Sequence, residues 1–218
     1  MNKKRLLATV LPRLAFPLPP PASVLSEPRA LFDGAVRDVW LEIGFGAGEH
    51  LAGQALKHPD VGFIGCEPYV NGVAALIACI ESLDLGNIRI FGDDARLLLP
   101  HLPDACLGQI FLLFADPWPK LRHADRRFIA RPALDELARL LRPGGTFLFA
   151  SDHPGYVRWT LWQVARHPAF AWPAQGPQDW RQPPPGWIET RYEAKAKAAG
   201  AVCTYLEFVR TNTAVAVA

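Results

Sequence analysis

Only four of the 218 residues are cysteine and one is methionine, and neither charge sign nor long apolar runs dominate the sequence. Cys66, Cys79, Cys106 and Cys203 stand too far apart for the paired spacings of zinc or dithiol redox sites. They read as reduced core thiols of a cytoplasmic protein, with no metal site implied. No stretch reaches the ~18 uninterrupted apolar residues that a membrane-spanning helix needs. Lys3-Lys4-Arg5 ahead of an apolar stretch has the look of a secretory leader, but Pro12 and Arg13 interrupt it early and no small-residue cleavage site follows cleanly. There is no internal repeat. A net charge of +2 excludes a globally basic surface.

What is present is local. A chain of this length forms one domain with one core. Residues 1–31 carry Lys3, Lys4, Arg5, Arg13 and Arg29 against Glu27 alone, a net of +4, which leaves the remainder at −2. Pro17-Leu18-Pro19-Pro20-Pro21 marks residues 1–29 as a basic, proline-rich arm, expected to be extended and flexible, ahead of a folded domain over 30–218.

From there apolar runs and amphipathic stretches alternate. Strands are predicted at Val39 to Ile43, Val61 to Cys66, Ile88 to Phe91, Ile110 to Ala115, Thr146 to Ser151 and Cys203 to Val209. Helices are predicted at Glu49 to Leu56, Val70 to Leu83, after Asp94, Arg131 to Leu141, Tyr156 to Arg166 and from Tyr192. Arg142-Pro143-Gly144-Gly145 reads as a helix stop. Residues 168–187, with six prolines and Trp172, Trp180 and Trp187, read as a long loop anchored by its tryptophans. Strands apolar on both faces and alternating with helices predict an α/β fold with a doubly wound, mostly parallel sheet.

Three successive strand ends then carry ligand-binding chemistry. Leu41-Glu42-Ile43-Gly44-Phe45-Gly46-Ala47-Gly48 turns the first strand into the first helix, and glycines there let a ligand approach the backbone. Glu67 ends the second strand, 23 residues after Gly44, where an acid can accept from both ribose hydroxyls. Gly92-Asp93-Asp94-Ala95 ends the third, where Asp94 can bind the adenine amino group. Each alone is weak, since such glycines are often only a turn and such acids only caps. Together, on the ligand-binding edge of one sheet, they predict an adenosine-containing cofactor. The spacing G-x-G-x-G departs from the dinucleotide fingerprint G-x-G-x-x-G. With Glu42 two residues ahead of Gly44, it favours S-adenosylmethionine over a nicotinamide dinucleotide.

The fourth strand end is the most distinctive. Asp116 follows an apolar run, and Pro117, Trp118 and Pro119 stiffen the backbone after it. Lys120, Arg122, Arg126, Arg127 and Arg131 then stand against Asp125 alone, a local charge of +4. One acid beside a dense cationic segment suits chemistry on a polyanion. The bland alternatives are a helix cap for Asp116, a solvated face for the arginines, a structural His123, and a Trp118 that packs on the sheet edge instead of stacking on a base.

Asp116-Pro117-Trp118-Pro119-Lys120, with Arg122-His123 and Arg126-Arg127 behind it, resembles the signature of the bacterial tRNA (guanine-N7-)-methyltransferases. Leu41-Glu42-Ile43-Gly44 and Glu67 match that family's cofactor site, Ser151-Asp152 is similar to its Thr-Asp step, and Thr190-Arg191-Tyr192-Glu193 matches its Thr-Lys/Arg-Phe/Tyr-Glu motif. Leu121 and Ala124-Asp125 are less basic than the family's usual residues. The resemblance implies a seven-stranded Rossmann-like methyltransferase fold, S-adenosylmethionine as cofactor, and methylation of a guanine in the tRNA variable loop by a cytoplasmic monomer or homodimer. It implies cofactor contacts at Glu42, Gly44, Gly46, Gly48, Glu67, Asp94 and Ala95. Substrate contacts are implied at Lys120, Asp152, Thr190, Arg191, Tyr192 and Glu193, RNA contacts at Arg122, His123, Arg126 and Arg127, and catalysis at Asp116.

Guanine N7 carries a free lone pair, so no base need deprotonate it. Catalysis is then mostly positioning, with a carboxylate near the base to stabilise the positive charge that the purine gains. A non-catalytic RNA-binding subunit predicts a degraded cofactor turn, and an oxidoreductase predicts dinucleotide spacing; the sequence has neither. Methylation of another RNA is a further alternative.

Overall fold

The computed structural model describes residues 3–20, 23–25, 27–34 and 36–213. Its sheet has seven strands in the order β3-β2-β1-β4-β5-β7-β6. They are β1 (Asp38–Ile43), β2 (Val61–Cys66), β3 (Ile88–Phe91), β4 (Leu107–Leu113), β5 (Leu141–Ser151), β6 (Phe170–Ala171) and β7 (Thr204–Arg210). The first five pair in parallel, and β7 runs antiparallel to both β5 and β6. The predicted doubly wound, mostly parallel sheet is the one found.

The helices are α1 (Lys3–Thr9), α2 (Leu11–Leu14), α3 (Glu49–Lys57), α4 (Val70–Leu83), α5 (Ala95–Leu98), α6 (Arg131–Leu140), α7 (Pro154–Val164), α8 (Gln178–Arg181) and α9 (Arg191–Ala198). Alternation along the strands divides the core between two faces. Val39, Leu41 and Ile43 of β1 and Ile110 and Leu112 of β4 pack with Leu98 of α5, Leu134 and Leu137 of α6 and Tyr156 of α7. On the other face, Val61 and Phe63 of β2 meet Leu51 of α3 and Leu76 and Ile77 of α4. Near β5 and β7 that face is closed by Ala196 of α9 on Phe111, Leu148 and Tyr205.

Three expectations give way. The amino-terminal segment is not an extended arm over its first residues: α1 and α2 dock on the sheet edge. Leu6 and Val10 are buried in the α4 face, Lys3 Nζ donates to Asn71 Oδ1 at 2.8 Å, and Phe16 N–H donates to Ile90 O at 2.8 Å. Leu6, Val10 and Leu14 recur every four residues, a helical stripe, and Pro12 falls at a helix start, where its missing N–H costs nothing. Burying Leu6, Val10 and Phe16 contributes about 1.5–3 kcal/mol each, enough to hold a short segment on the β3 edge. Met1, Asn2, Pro21, Ala22 and Ser26 of the predicted arm lie outside the described residues.

The second difference is at β4, which ends at Leu113; Phe114 takes a positive φ of 52° and turns the chain before Asp116. The third is in the proline-rich loop, which contains β6 and the single-turn α8, both too short to show a periodicity.

Candidate active site

The carboxyl ends of β1 to β5 lie along one sheet edge, and the residues that follow them build two adjoining clefts. One, of about 220 Å³, is lined by Gly44, Asp93, Asp94, Ala95, Asp116 and Trp118, among others. The other, of about 360 Å³, is lined by Gly44, Gly46, Glu67, Asp116, Arg191 and Tyr192, among others. Gly44, Pro68, Ala115 and Asp116 belong to both walls. A larger open hollow of about 950 Å³ in the proline-rich loop, with Glu207, shares no residue with either cleft.

The glycine turn is a close-approach device. Gly44, Gly46 and Gly48 have φ of 71°, 58° and 84°, a region that favours glycine. A Cβ on Gly46 would stand 2.8 Å from the Tyr192 ring, and one on Gly72 of α4 would stand 2.1 Å from Gly46 O. A side chain at either position would displace the turn or its neighbours. Glu67 holds the turn directly. Its Oε2 accepts from Gly46 N–H and its Oε1 from Tyr69 N–H, both at 2.8 Å. A carboxylate offers about four acceptor sites, so two remain for a ligand.

Asp94 caps α5, accepting from Arg96 N–H at 2.9 Å, and pairs with the Arg96 guanidinium at 3.0 Å. Ala95 is the first residue of that helix and lines the same cleft. Glu42 lines neither cleft. Its side chain is buried on the other face of β1, where Oε2 meets His50 Nδ1 at 2.7 Å. Gln54 Nε2 stands 3.2 Å from His50 Nε2 and donates to Gly186 O at 3.3 Å. Since the Gln54 amide nitrogen can only donate, Nε2 of the ring accepts from it and Nδ1 donates to Glu42. Glu42 therefore anchors the glycine turn to α3 instead of facing a ligand.

Asp116 is exposed between the clefts, and no described residue hydrogen-bonds its carboxylate. The backbone around it is strained: Trp118 has a φ of 41° and Phe114 one of 52°, each costing about 1–3 kcal/mol. Arg127 holds that shape. Its Nε donates to Pro117 O at 2.9 Å and its Nη2 to Trp118 O at 3.0 Å, while its guanidinium lies 4.8 Å from the Trp159 ring. Arg127 is thus a buried clamp, not the RNA-facing cation expected from the sequence. Beneath it, burial pushes the Tyr156 phenol up to about 12, so this hydroxyl stays neutral.

Lys120, Arg122 and Arg126 are exposed, without carboxylate partners among the described residues. Arg126 lies over the Trp118 ring at 4.8 Å, and His123 meets that ring edge-on at 5.9 Å. Trp118 is half-buried between them. Asp152 is exposed at the end of β5.

The 190–193 motif divides. Arg191 and Tyr192 face the second cleft, with the guanidinium 5.1 Å from the Tyr192 ring. Thr190 caps α9, accepting from Glu193 N–H at 3.1 Å. Glu193 is fully buried and accepts from Trp187 Nε1 at 2.7 Å, from Lys197 Nζ at 2.6 Å and from the Tyr205 hydroxyl. Two of the motif's four residues, Thr190 and Glu193, therefore serve the framework. Thr190-x-x-Glu193 is a capping signature legible in the sequence.

Tyr69, Gly72, His50 and the clamp role of Arg127 escaped the sequence reading. A glycine inside a helix pattern is a signal of close approach and marked Gly72; nothing local marked the others. Cys66 lines the first cleft, but burial raises its thiol far above the ordinary range and keeps it neutral. All four cysteines are free, and no group of three potential metal ligands occurs among the described residues. No described helix is long and apolar enough to cross a membrane.

Glycine turn, acid at the second strand end and paired clefts on a seven-stranded sheet define a methyltransferase, and residues 36–206 match the family described as "Putative methyltransferase". Solved structures share the fold. The 16S rRNA methyltransferase KamB superposes with a TM-score of 0.58 at 20% identity, covering 84% of this chain and 90% of that one. A SAM-dependent O-methyltransferase from Thermotoga maritima gives 0.54 at 14% identity, covering 85% and 64%. The tRNA (guanine-N(7)-)-methyltransferase of Rhodospirillum rubrum is 53% identical over 214 residues, 96% of this chain and 82% of that protein. That of Azorhizobium caulinodans is 50% identical over 209 residues, 96% and 89%. The chain belongs to the tRNA (guanine-N(7)-)-methyltransferase family.

Proposed function

We propose that this protein methylates N7 of a guanine in the variable loop of tRNA, using S-adenosylmethionine. The observation that carries the reading is the unpartnered Asp116 carboxylate on the wall shared by two clefts, one lined by Asp94, Ala95 and Arg126 and the other by Gly46, Glu67, Arg191 and Tyr192. The site fits the cofactor: a glycine cradle that a Cβ would close, acceptor sites left on Glu67, and Asp94 with Ala95 beside the first cleft. When bound, S-adenosylmethionine supplies a methyl group on a positively charged sulfur.

The protein's work is then to position and to stabilise. Guanine N7 is nucleophilic as it stands, so the site needs no general base. Asp116 accepts hydrogen bonds from the guanine edge and offsets the positive charge that the purine acquires. Its location on both cleft walls supports a role beside both reactants, as in-line transfer requires. The Arg127 clamp fixes the loop from which Asp116 projects. Arg191, Tyr192, Lys120 and Asp152 bound the acceptor side, and Arg122, Arg126 and His123 take tRNA phosphates, sequence-independently and in a salt-sensitive way. A guanine engaged in tertiary pairing must be turned out to reach this edge.

The test is transfer of labelled methyl from S-adenosylmethionine to unmodified tRNA, with the nucleoside product identified by mass spectrometry. The expected product is 7-methylguanosine from the variable loop, abolished in Asp116→Ala. Transfer to another nucleoside, or none to tRNA, overturns the reading.

A further inference from the structure

The arginines of this protein divide by their partners. Arg37, Arg96, Arg139 and Arg142 each meet a carboxylate within 3.0 Å, from Asp60, Asp94, Asp104 and Asp38 respectively. Arg158 and Arg166, like Lys120, Arg122 and Arg126, are exposed and have no carboxylate partner among the described residues. Arg158, Trp162 and Arg166 follow at four-residue intervals along α7 and just past its end, and so share one outward face.

From His153 to Gln178 the segment itself carries no aspartate or glutamate, and Asp135, which reaches His167 at 3.0 Å, is also paired with Arg131. Trp162 is 51% exposed, yet it is built into the face. It stacks on Trp159 at 6.0 Å, and the Arg166 guanidinium lies 4.0 Å from its ring centre, with Nη1 donating to Trp162 O at 3.3 Å. A guanidinium held over an indole keeps its other donors free for an anion.

This face is continuous with the active-site loop. Trp159 Nε1 donates to Ile129 O at 2.6 Å, and Arg127, which grips Pro117 O and Trp118 O, packs on the Trp159 ring. Helix α7 starts two residues after Asp152. The stripe therefore leads from the catalytic edge outward over α7.

We infer that the outer face of α7 is a second tRNA-binding surface, on which Arg158 and Arg166 take backbone phosphates beyond those met by Lys120, Arg122 and Arg126. The inference rests on the tRNA reading above. Unpaired cations on a helix without acids of its own complement a polyanion whose charges repeat along its length.

The experiment is equilibrium binding of unmodified tRNA by the full chain across a salt series. Arg158→Ala with Arg166→Ala is expected to weaken binding about tenfold at physiological salt and to flatten the salt slope by about 1.5, as for two lost phosphate contacts. Arg158→Lys with Arg166→Lys is expected to keep most of the slope, which separates lost charge from lost folding. Unchanged affinity and slope in the alanine pair, with Lys120→Ala plus Arg126→Ala still weakening binding, overturns the second surface and leaves the tRNA reading intact. Unchanged binding in both sets overturns both.

Discussion

The proposed cofactor half and the proposed acceptor half of this edge treat their charges in opposite ways. On the proposed cofactor side, the carboxylates are already engaged by the protein itself. Glu67 accepts from two backbone N–H groups, Asp94 caps a helix, and Glu42 is locked through His50 and Gln54 to Gly186. On the acceptor side Asp116, Lys120, Arg122, Arg126 and Asp152 project without ionic partners among the described residues. A small cofactor rewards a preorganised socket, because ordering it in advance lowers the cost of binding. A large polyanion brings its own counter-charges, and cations already paired would have to give theirs up. The strain at Phe114 and Trp118 lies between the halves, where the chain leaves β4.

The largest effect that would sharpen this contrast is at Asp116. Asp116→Asn keeps the shape and removes the charge. Turnover is expected to fall by about 10²-fold, the scale of losing one electrostatic contact to the transition state, with cofactor affinity unchanged by calorimetry. Near-normal turnover would break the assignment. Gly72→Ala comes next. Its Cβ would stand 2.1 Å from Gly46 O, so α4 or the turn must shift, at about 1–3 kcal/mol. Cofactor binding should drop about tenfold or more, while tRNA affinity holds; equal loss of both would erase the distinction between the halves.

His50→Ala leaves the buried Glu42 carboxyl without its hydrogen-bond donor. Chemical denaturation should show a loss of about 2–4 kcal/mol, partly restored in His50→Gln. The smallest effect lies away from the site, at the amino end of β1. Burial alone would raise the Asp38 carboxyl, but the Arg142 fork at 2.6 and 2.5 Å, Trp40 Nε1 at 2.8 Å and Val39 N–H outweigh it and hold Asp38 below its ordinary 3.8. The lowered group stabilises the fold above pH 3.8 and loses that contribution as pH falls through its own lower value. Asp38→Asn should therefore cost about 1 kcal/mol at neutral pH, since Arg142 is half-exposed, and its deficit should vanish in strong acid.

Much of this was legible in the sequence. The five parallel strands and their helices announced themselves by apolar runs and amphipathic spacing, and the ligand edge by glycines and acids at strand ends. What stayed hidden depended on contacts between distant segments. That Glu42 turns away from the clefts follows from the strand's alternation plus the arrival of His50 beneath it. Arg127 reads as one more cation in a basic run, yet Trp159 and two loop carbonyls draw it inside. Glu193 reads as a ligand contact by resemblance, yet Trp187, Lys197 and Tyr205 consume it. The docking of α1 was masked by basic residues and by Pro12, although the four-residue recurrence of Leu6, Val10 and Leu14 was there to be read.

The proposed chemistry uses an acceptor atom that needs no base. The most direct measurement presents the enzyme with tRNA whose variable-loop target guanosine is replaced by 7-deazaguanosine, which keeps the pairing edge and the phosphates but lacks the N7 lone pair. The expected result is unchanged tRNA binding and no methyl transfer. Methyl transfer to the substituted tRNA at the same position would contradict the account, because the acceptor would then be another atom.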